Sequence, residues 1–155
     1  WFLVRVAEEL QREGKLEDAA SVWAMVGRQG HKVAPEDALA GAGVLNAAGD
    51  AEAARELLDK LLSVEAELRV MQRARYQLLE SLLIEDDPAV NTPPPMESGE
   101  HFGTAYNLRR GLLLELRGRR EEALAVYRAL APRQEVLRKE ERQLLAERIE
   151  ALEGN

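Results

Sequence analysis

Three short stretches of this chain repeat one arrangement of residue types at a nearly constant spacing. They are centred on Gly14, Gly49 and Gly118. In each stretch the glycine follows an amphipathic run, acidic residues come three or four positions later, and an alanine comes five positions later. The glycines are 35 and 69 residues apart, which is one and two units of about 34 residues. The chain is therefore expected to fold as a set of similar units that stack on one another.

Each part of the arrangement has a place in a pair of helices. A glycine directly after an amphipathic run supplies the left-handed residue that ends a helix, and acidic residues favour the first turn of the next helix. Large apolar residues then follow on one helical face: Trp23, Leu58 and Tyr127, and after them Val26, Leu61 and Leu130. The spacing predicts three antiparallel helix pairs: 1–13 with 17–28, 35–48 with 51–62, and 104–117 with 120–131.

These units resemble tetratricopeptide repeats, which are modules of about 34 residues formed by two antiparallel helices. The resemblance is carried by Ala7, Leu10, Gly14, Ala19 and Trp23, by Ala42, Leu45, Gly49, Ala54 and Leu58, and by Gly111, Gly118, Ala123, Tyr127 and Leu130. It implies an all-α fold, a right-handed α-solenoid of about three and a half repeats with a C-terminal capping helix. In this family the first helix of each pair lines the concave face, where partners bind.

The expected organisation is a single helical-repeat domain over residues 1–155. Its parts are repeat 1 (about 1–30), repeat 2 (about 35–63), a half repeat (66–86), a flexible loop (87–103), the last repeat (104–131) and a capping helix (134–153). The loop holds four prolines and two glycines where a second helix belongs, which predicts a disordered segment or one that occupies the groove as a self-ligand. The last helix caps the stack, or its apolar seam pairs with a second copy.

The sequence predicts neither an enzyme nor a bound cofactor or metal. There is no Cys, and the two histidines, His31 and His101, are far apart in the chain. His101 lies near Glu97 and Glu100, but one imidazole without further ligands is not a zinc site. No serine lies in a nucleophile-elbow sequence. Gly43 costs its helix about 1 kcal/mol relative to alanine, which indicates close approach by the core or by a ligand, the core being favoured.

Charge and hydropathy exclude two classes of partner. The net charge is −7, of which residues 1–108 carry −9 and residues 109–153 carry +2. An acidic chain with 5% aromatic residues predicts no nucleic-acid binding, and no apolar run approaches the roughly 18 residues of a membrane span. The basic residues cluster near the last inter-helix turn, at Arg109, Arg110, Arg117, Arg119 and Arg120, and favour an acidic peptide or surface as partner.

Because the chain starts at Trp1, we expect a fragment or processed product, with the cytoplasm as default compartment.

These features favour a scaffold or adaptor domain that holds a peptide or helix of a protein partner in the concave groove. The geometry of the repeat family places ten side chains there: Arg5, Glu8, Arg12, Leu39, Asn46, Tyr76, Leu108, Arg109, Leu112 and Glu115. The repeated Lys and Asn residues with which chaperone-binding members hold a C-terminal carboxylate are missing. The alternative is a regulatory or sensory arm of a larger multidomain bacterial protein, such as a transcriptional regulator.

Overall fold

The computed structural model describes residues 2–29, 32–91 and 100–154, and within these ranges the fold is helical with no β-strand. The α-helices are α1 (Phe2–Arg12), α2 (Leu16–Arg28), α3 (Pro35–Ala47), α4 (Ala51–Leu62), α5 (Leu68–Ile84), α6 (Glu100–Leu116), α7 (Arg120–Leu130) and α8 (Lys139–Glu153). Short 3₁₀ segments span Pro88–Asn91 and Ala131–Val136. The all-α class predicted from the repeat is confirmed.

The chain divides into two compact units, termed unit 1 (Trp1–Asp87) and unit 2 (Pro88–Asn155). Unit 1 contains α1 to α5, in which each helix packs on the next, α2 also packs on α4, and α3 also packs on α5. In unit 2, α7 packs on α6 and on α8, and the Ala131–Val136 segment contacts all three helices. The boundary between the units falls inside the segment for which a loop is predicted.

The predicted loop is shorter than the sequence suggests. Residues 88–91 form a 3₁₀ segment and α6 begins at Glu100, so the prediction of a loop over the whole of 87–103 is wrong at both ends. Val90 and Phe102 are 2% and 4% exposed. Burial of these two side chains outweighs the weak helix propensity of the Pro- and Gly-rich sequence around them. Residues 92–99 of the predicted loop lie outside the described residues.

The last helix starts five residues later than predicted from position 134. The backbone N–H of Arg138 donates to the Glu141 carboxylate at 2.8 Å, which fixes the first turn of α8 at Lys139. Of the apolar seam predicted here, Leu145 is buried and Leu144, Ile149 and Leu152 are half-buried. Packing within unit 2 therefore already covers part of the surface that self-association through this helix requires.

The three turn glycines adopt the conformation that the sequence predicts. Gly14, Gly49 and Gly118 have φ of +75°, +84° and +75°, a region that is costly for residues with a Cβ. In each turn the glycine N–H donates to the carbonyl three residues earlier and the next N–H donates to the carbonyl five residues earlier, at 2.8 to 3.0 Å. These two bonds end the first helix and turn the chain into the second.

A fourth turn of the same kind ends α5, and it has no glycine. Asp86 has φ of +54°, and the N–H of Asp87 donates to the Leu82 carbonyl at 2.9 Å. Arg55 of α4 holds this turn, because its guanidinium lies 3.1 Å from the Asp87 carboxylate and 3.3 Å from that of Glu85. The half repeat thus ends like the other first helices. Gly14, Gly49, Asp86 and Gly118 are termed the turn residues, and positions in each repeat are counted from them.

The core of the three complete repeats follows the predicted positions. Position +5 is a fully buried alanine and position +9 is a large side chain at most 1% exposed: Ala19, Ala54 and Ala123, and Trp23, Leu58 and Tyr127. On the first helices, position −7 is also buried, as Ala7, Ala42 and Gly111. The two helices of each pair therefore bury matching faces against one another.

Candidate interaction face

Two of the buried side chains at position +9 are aromatic, and the first helix of the same repeat satisfies the polar atom of each. Trp23 Nε1 donates to Gln11 Oε1 at 3.0 Å, and the Tyr127 hydroxyl donates to Glu115 Oε1 at 2.9 Å. Both acceptors lie at position −3. Because a buried donor without an acceptor costs about 1–3 kcal/mol, the side chain at position −3 has a structural role in these two repeats.

Glu115 also binds a third helix of unit 2. Arg148 of α8 donates to it from Nε at 3.0 Å and makes a second, shorter contact from Nη2. Burial raises the pKa of Glu115, but hydrogen bonds from Arg148 and Tyr127 outweigh that effect and hold the pKa below its ordinary value. Burial, together with the neighbouring carboxylate, raises the pKa of Tyr127. Glu115 therefore ties α6, α7 and α8 together, and its role as a partner contact stays a prediction.

Asn46, at position −3 of the second repeat, is bound in a different way. Leu58 occupies position +9 there and offers no donor, so Asn46 faces α5 instead. Its Nδ2 donates to the Gln77 carbonyl at 3.0 Å and to Gln77 Oε1 at 3.1 Å, and Ser81 Oγ donates to its Oδ1 at 2.8 Å. Asn46 is 5% exposed and Ser81 is fully buried. The prediction that Asn46 faces a partner is corrected, because its amide is already satisfied within unit 1.

Position −10 is part of the core and not of a groove. Leu39 and Leu108, both predicted as partner contacts, are 8% and 4% exposed, and Val4 at the same position of α1 is 8% exposed. Positions −10, −7 and −3 are spaced by three and four residues, so they share the helical face that packs on the second helix. Both predictions are therefore corrected. Tyr76, at position −10 of α5, is half-buried.

The positions that stay open on the first helices are −9, −6 and −2. Their spacing places them together on one helical face. Their side chains, exposed or half-exposed in every copy, are Arg5, Glu8 and Arg12 on α1, Ala40, Gly43 and Ala47 on α3, Gln77, Glu80 and Ile84 on α5, and Arg109, Leu112 and Leu116 on α6. Each unit thus has its own open face, formed by the nine residues on α1, α3 and α5 in unit 1 and by the three residues on α6 in unit 2.

The open faces contain half of the predicted contacts. They are Arg5, Glu8, Arg12, Arg109 and Leu112. The ten predicted side chains do not include the other seven residues of the open faces, which are Ala40, Gly43, Ala47, Gln77, Glu80, Ile84 and Leu116. The signal that could have found them is their common offset from the turn residues, once Asp86 is counted among those. Arg12 itself forms an ion pair with Glu9 one turn away on α1, and both side chains remain more than half exposed.

The two glycines of α3 have different surroundings. A Cβ on Gly41 would lie 2.5 Å from Trp23 Cε3 and 2.9 Å from Leu57 Cδ1, so the second helices pack directly on this backbone. A Cβ on Gly43 would meet only Gln77, at 3.6 Å from Nε2, which is ordinary van der Waals distance. The expectation that Gly43 serves core packing is therefore wrong. Gly41 has that role, and Gly43 lies on the open face with no neighbour that requires a glycine.

Carboxylates gather where α3 begins in unit 1. Burial raises the pKa of Asp37, in the first turn of α3, and the charges of Glu8 and Glu36 raise it further. Arg5 of α1 partly offsets them. This end of the unit 1 open face thus holds Arg5 beside the carboxylates of Glu8, Glu36 and Asp37.

The described residues hold few groups suited to catalysis or metal binding. His101 lies in the first turn of α6, and not in a loop as predicted, with Nε2 3.2 Å from Glu141 Oε1. In the described ranges no three His, Asp or Glu side chains are grouped so that they could hold a metal ion. His31 and Glu97 lie outside the described residues.

Comparison with known proteins gives no indication of function, so a functional proposal must rest on the residues of this chain. The chain matches no protein-family model, no curated protein and no solved structure. Among the described helices, none is both long and apolar enough to cross a membrane. The open faces are therefore the candidate site, because their residues recur at fixed offsets and stay exposed or half-exposed, although Gln77 Oε1 also accepts from Asn46.

Proposed function

We propose that this chain is a protein–protein interaction module that binds a peptide or helix of another protein on the open faces of its units. The four turns, at intervals of 35, 37 and 32 residues, support a repeat architecture related to tetratricopeptide repeats. Within unit 1, the packing of α2 on both α3 and α4, and of α3 on both α4 and α5, supports the stacking of helix pairs into a solenoid.

The observation that carries the proposal is the environment of Gly43. A glycine inside a helix costs about 1 kcal/mol relative to alanine, and nothing in unit 1 requires it at this position, since a Cβ would find only ordinary contact. Ala40 and Ala47 flank it on the same face, and both are exposed. Ala40, Gly43 and Ala47 therefore form a strip of small residues on α3, and the backbone of a bound segment can approach this strip closely.

The residues beside this strip supply polar contacts. Arg5 and Glu8 of α1 carry opposite charges, and Gln77 and Glu80 of α5 carry amide and carboxylate groups. The small residues of α3 are thus surrounded by both charged and neutral polar groups. Such a surface suits an extended or helical protein segment, because the backbone and side chains of that segment provide hydrogen-bond donors and acceptors.

The test is a selection of short peptides from a displayed library on the purified chain, followed by measurement of Kd by fluorescence polarisation. Gly43→Arg fills the strip with a long side chain, and we expect it to weaken binding of the selected peptides about tenfold or more. Ser21→Arg adds the same side chain to the exposed face of α2 and serves as the matched control. Both variants are first checked for wild-type helicity. Equal binding to both variants, or a selection that yields no binder, would contradict the proposal.

A further inference from the structure

Leu116 is the most exposed large apolar side chain in the part of the chain that the structure describes. It is 82% exposed at the end of α6, whereas Leu114, two residues earlier, is 1% exposed. Position −2 holds Arg12 on α1, Ala47 on α3 and Ile84 on α5, so the repeat does not require a leucine there. Leu112 lies one turn before Leu116 and is half-exposed. Together the two leucines form an apolar surface on unit 2.

Two exposed arginines, Arg117 and Arg120, follow Leu116 within four residues of the chain. Neither guanidinium group makes a hydrogen bond or a close ion pair in the described ranges, although the charge of Arg120 acts on the Glu115 carboxylate. Arg119, between them, is bound to Glu122, with Nε 3.0 Å from Oε1. Arg120 begins α7, where the helix dipole favours anions and disfavours a cation. Its charge is therefore not explained by the stability of its helix.

We infer that the surface formed by Leu112, Leu116, Arg117 and Arg120, termed the Leu116 patch, binds a peptide segment that carries a large apolar side chain flanked by Asp or Glu. The inference rests on the proposed function and names the partner class for the open face of unit 2. An apolar side chain covers the exposed leucine, and carboxylates beside it pair with the exposed guanidinium groups of Arg117 and Arg120. Both features of the ligand follow from what the patch leaves exposed.

The charges of the two units favour the Leu116 patch over unit 1 as the binding site of an acidic segment. Residues 1–87 hold 10 basic and 17 acidic side chains, whereas residues 88–155 hold 11 of each. An acidic segment is therefore disfavoured at unit 1 by net repulsion. It is attracted to the Leu116 patch over the roughly 8–10 Å on which charges act at physiological salt.

The test uses two synthetic fluorescent peptide pools, each with one central leucine. One pool places Asp and Glu around the leucine and the other places Asn and Gln there. We expect the acidic pool to bind about tenfold more tightly, with a preference that declines as salt is added. The double variant Arg117→Ser with Arg120→Ser removes the preference. Arg133→Ser, which removes an exposed arginine elsewhere in unit 2, leaves it unchanged.

Leu116→Ser weakens the binding of the acidic pool about tenfold, and Leu116→Gln reproduces this loss with a side chain of similar length. Because Leu116 is 82% exposed, both variants keep the wild-type helicity, which circular dichroism checks. If the two pools bind with equal affinity, the inference is wrong. If the Gly43→Arg variant nevertheless loses the binding of both pools, the proposed function still holds without the inference. A concentration-dependent dimer that Leu116→Ser abolishes also overturns it, because a second copy is then the occupant of the patch.

Discussion

Gly41 and Gly43 lie two residues apart on α3, and alanine at each should change the stability of unit 1 in opposite directions. Both substitutions add one methyl group and remove one helical glycine, so the contribution of helix propensity is the same, about 1 kcal/mol in favour of alanine. The difference between the variants therefore reports only what the new methyl group meets. That makes the pair a direct test of the packing between α2 and α3.

At Gly41 the new Cβ would lie 2.5 Å and 2.7 Å from two atoms of the Trp23 ring and 2.9 Å from Leu57 Cδ1. Carbon atoms pack at about 3.5–4.0 Å, so the ring or the α3 backbone must shift by roughly 1 Å. Trp23 is 1% exposed, and its Nε1 is bound to Gln11, so the ring has little room to move. Overpacking of this kind costs about 1–3 kcal/mol. We expect the upper part of that range, which leaves a net loss of about 1–2 kcal/mol after the propensity gain.

At Gly43 the new Cβ would meet only the end of the Gln77 side chain, at 3.6 Å from Nε2 and 3.9 Å from Cδ. No clash opposes the propensity gain, so we expect Gly43→Ala to raise the free energy of unfolding by about 0.5–1 kcal/mol. The two variants should then differ by about 1.5–3 kcal/mol.

Urea denaturation followed by far-UV circular dichroism measures both variants against the wild-type chain. Opposite shifts of the midpoint at an unchanged slope are the expected result, since the slope reports the surface exposed on unfolding. Two midpoints that rise together would refute the close contact of Trp23 with Gly41. Two that fall together would show instead that Gly43 is packed, and would remove the observation on which the proposed function depends.

Three further predictions concern the turns and the buried polar contacts. Asp86→Gly relieves the positive φ at the end of α5 and should raise stability by about 0.5–1 kcal/mol, while Gly49→Ala should lower it by about 1 kcal/mol, both measured by urea denaturation. Asn46→Ala removes the two hydrogen bonds of its Nδ2 to Gln77 and the nearer acceptor of the fully buried Ser81 hydroxyl, which keeps only the Gln77 carbonyl at 3.2 Å. It should cost about 1–3 kcal/mol, with a smaller added loss when Ser81→Ala is combined with it. Because the folded pKa of Glu115 lies below its ordinary value of 4.5, the stability that this carboxylate contributes is present above about pH 4.5 and is lost as the pH falls through the folded pKa. Glu115→Gln should therefore lower the melting temperature at neutral pH and flatten its decline in acid; an unchanged acid limb would contradict the assigned role.

The sequence was sufficient to predict the elements that depend on residue type. A glycine after an amphipathic run predicts a left-handed helix end, and Gly14, Gly49 and Gly118 have that conformation. The sequence predicts that the half repeat ends at residue 86 but not that Asp86 is left-handed, because an aspartate adopts positive φ only occasionally. Its neighbours reveal this conformation only in three dimensions, through the contact of Arg55 with Asp87.

The candidate site was predicted less well, for a geometric reason. The expected groove mixed positions −10 and −3 with positions −9, −6 and −2, although neighbouring positions on a helix point about 100° apart. The apolar character of Leu39 and Leu108 is typical of the core, and both are buried. Leu116 has the same residue type and is 82% exposed. Composition cannot separate these leucines, because only the position relative to the turn residue decides which face each one occupies.

The residue type at position −3 depends on the residue type at position +9, and this dependence explains why the second repeat differs from the others. Where position +9 is aromatic with a polar atom, a long side chain at position −3 accepts its hydrogen bond, as Gln11 and Glu115 do. In the second repeat Leu58 has no donor, and the shorter Asn46 is free to bind α5 through Gln77 and Ser81. The half repeat gains from this exchange, because α5 is followed by a 3₁₀ segment instead of a second helix and depends on α3 and α4 for its contacts within unit 1. Replacing an aromatic side chain by leucine at position +9 thus moves one buried polar contact from within a helix pair to the contact between neighbouring first helices.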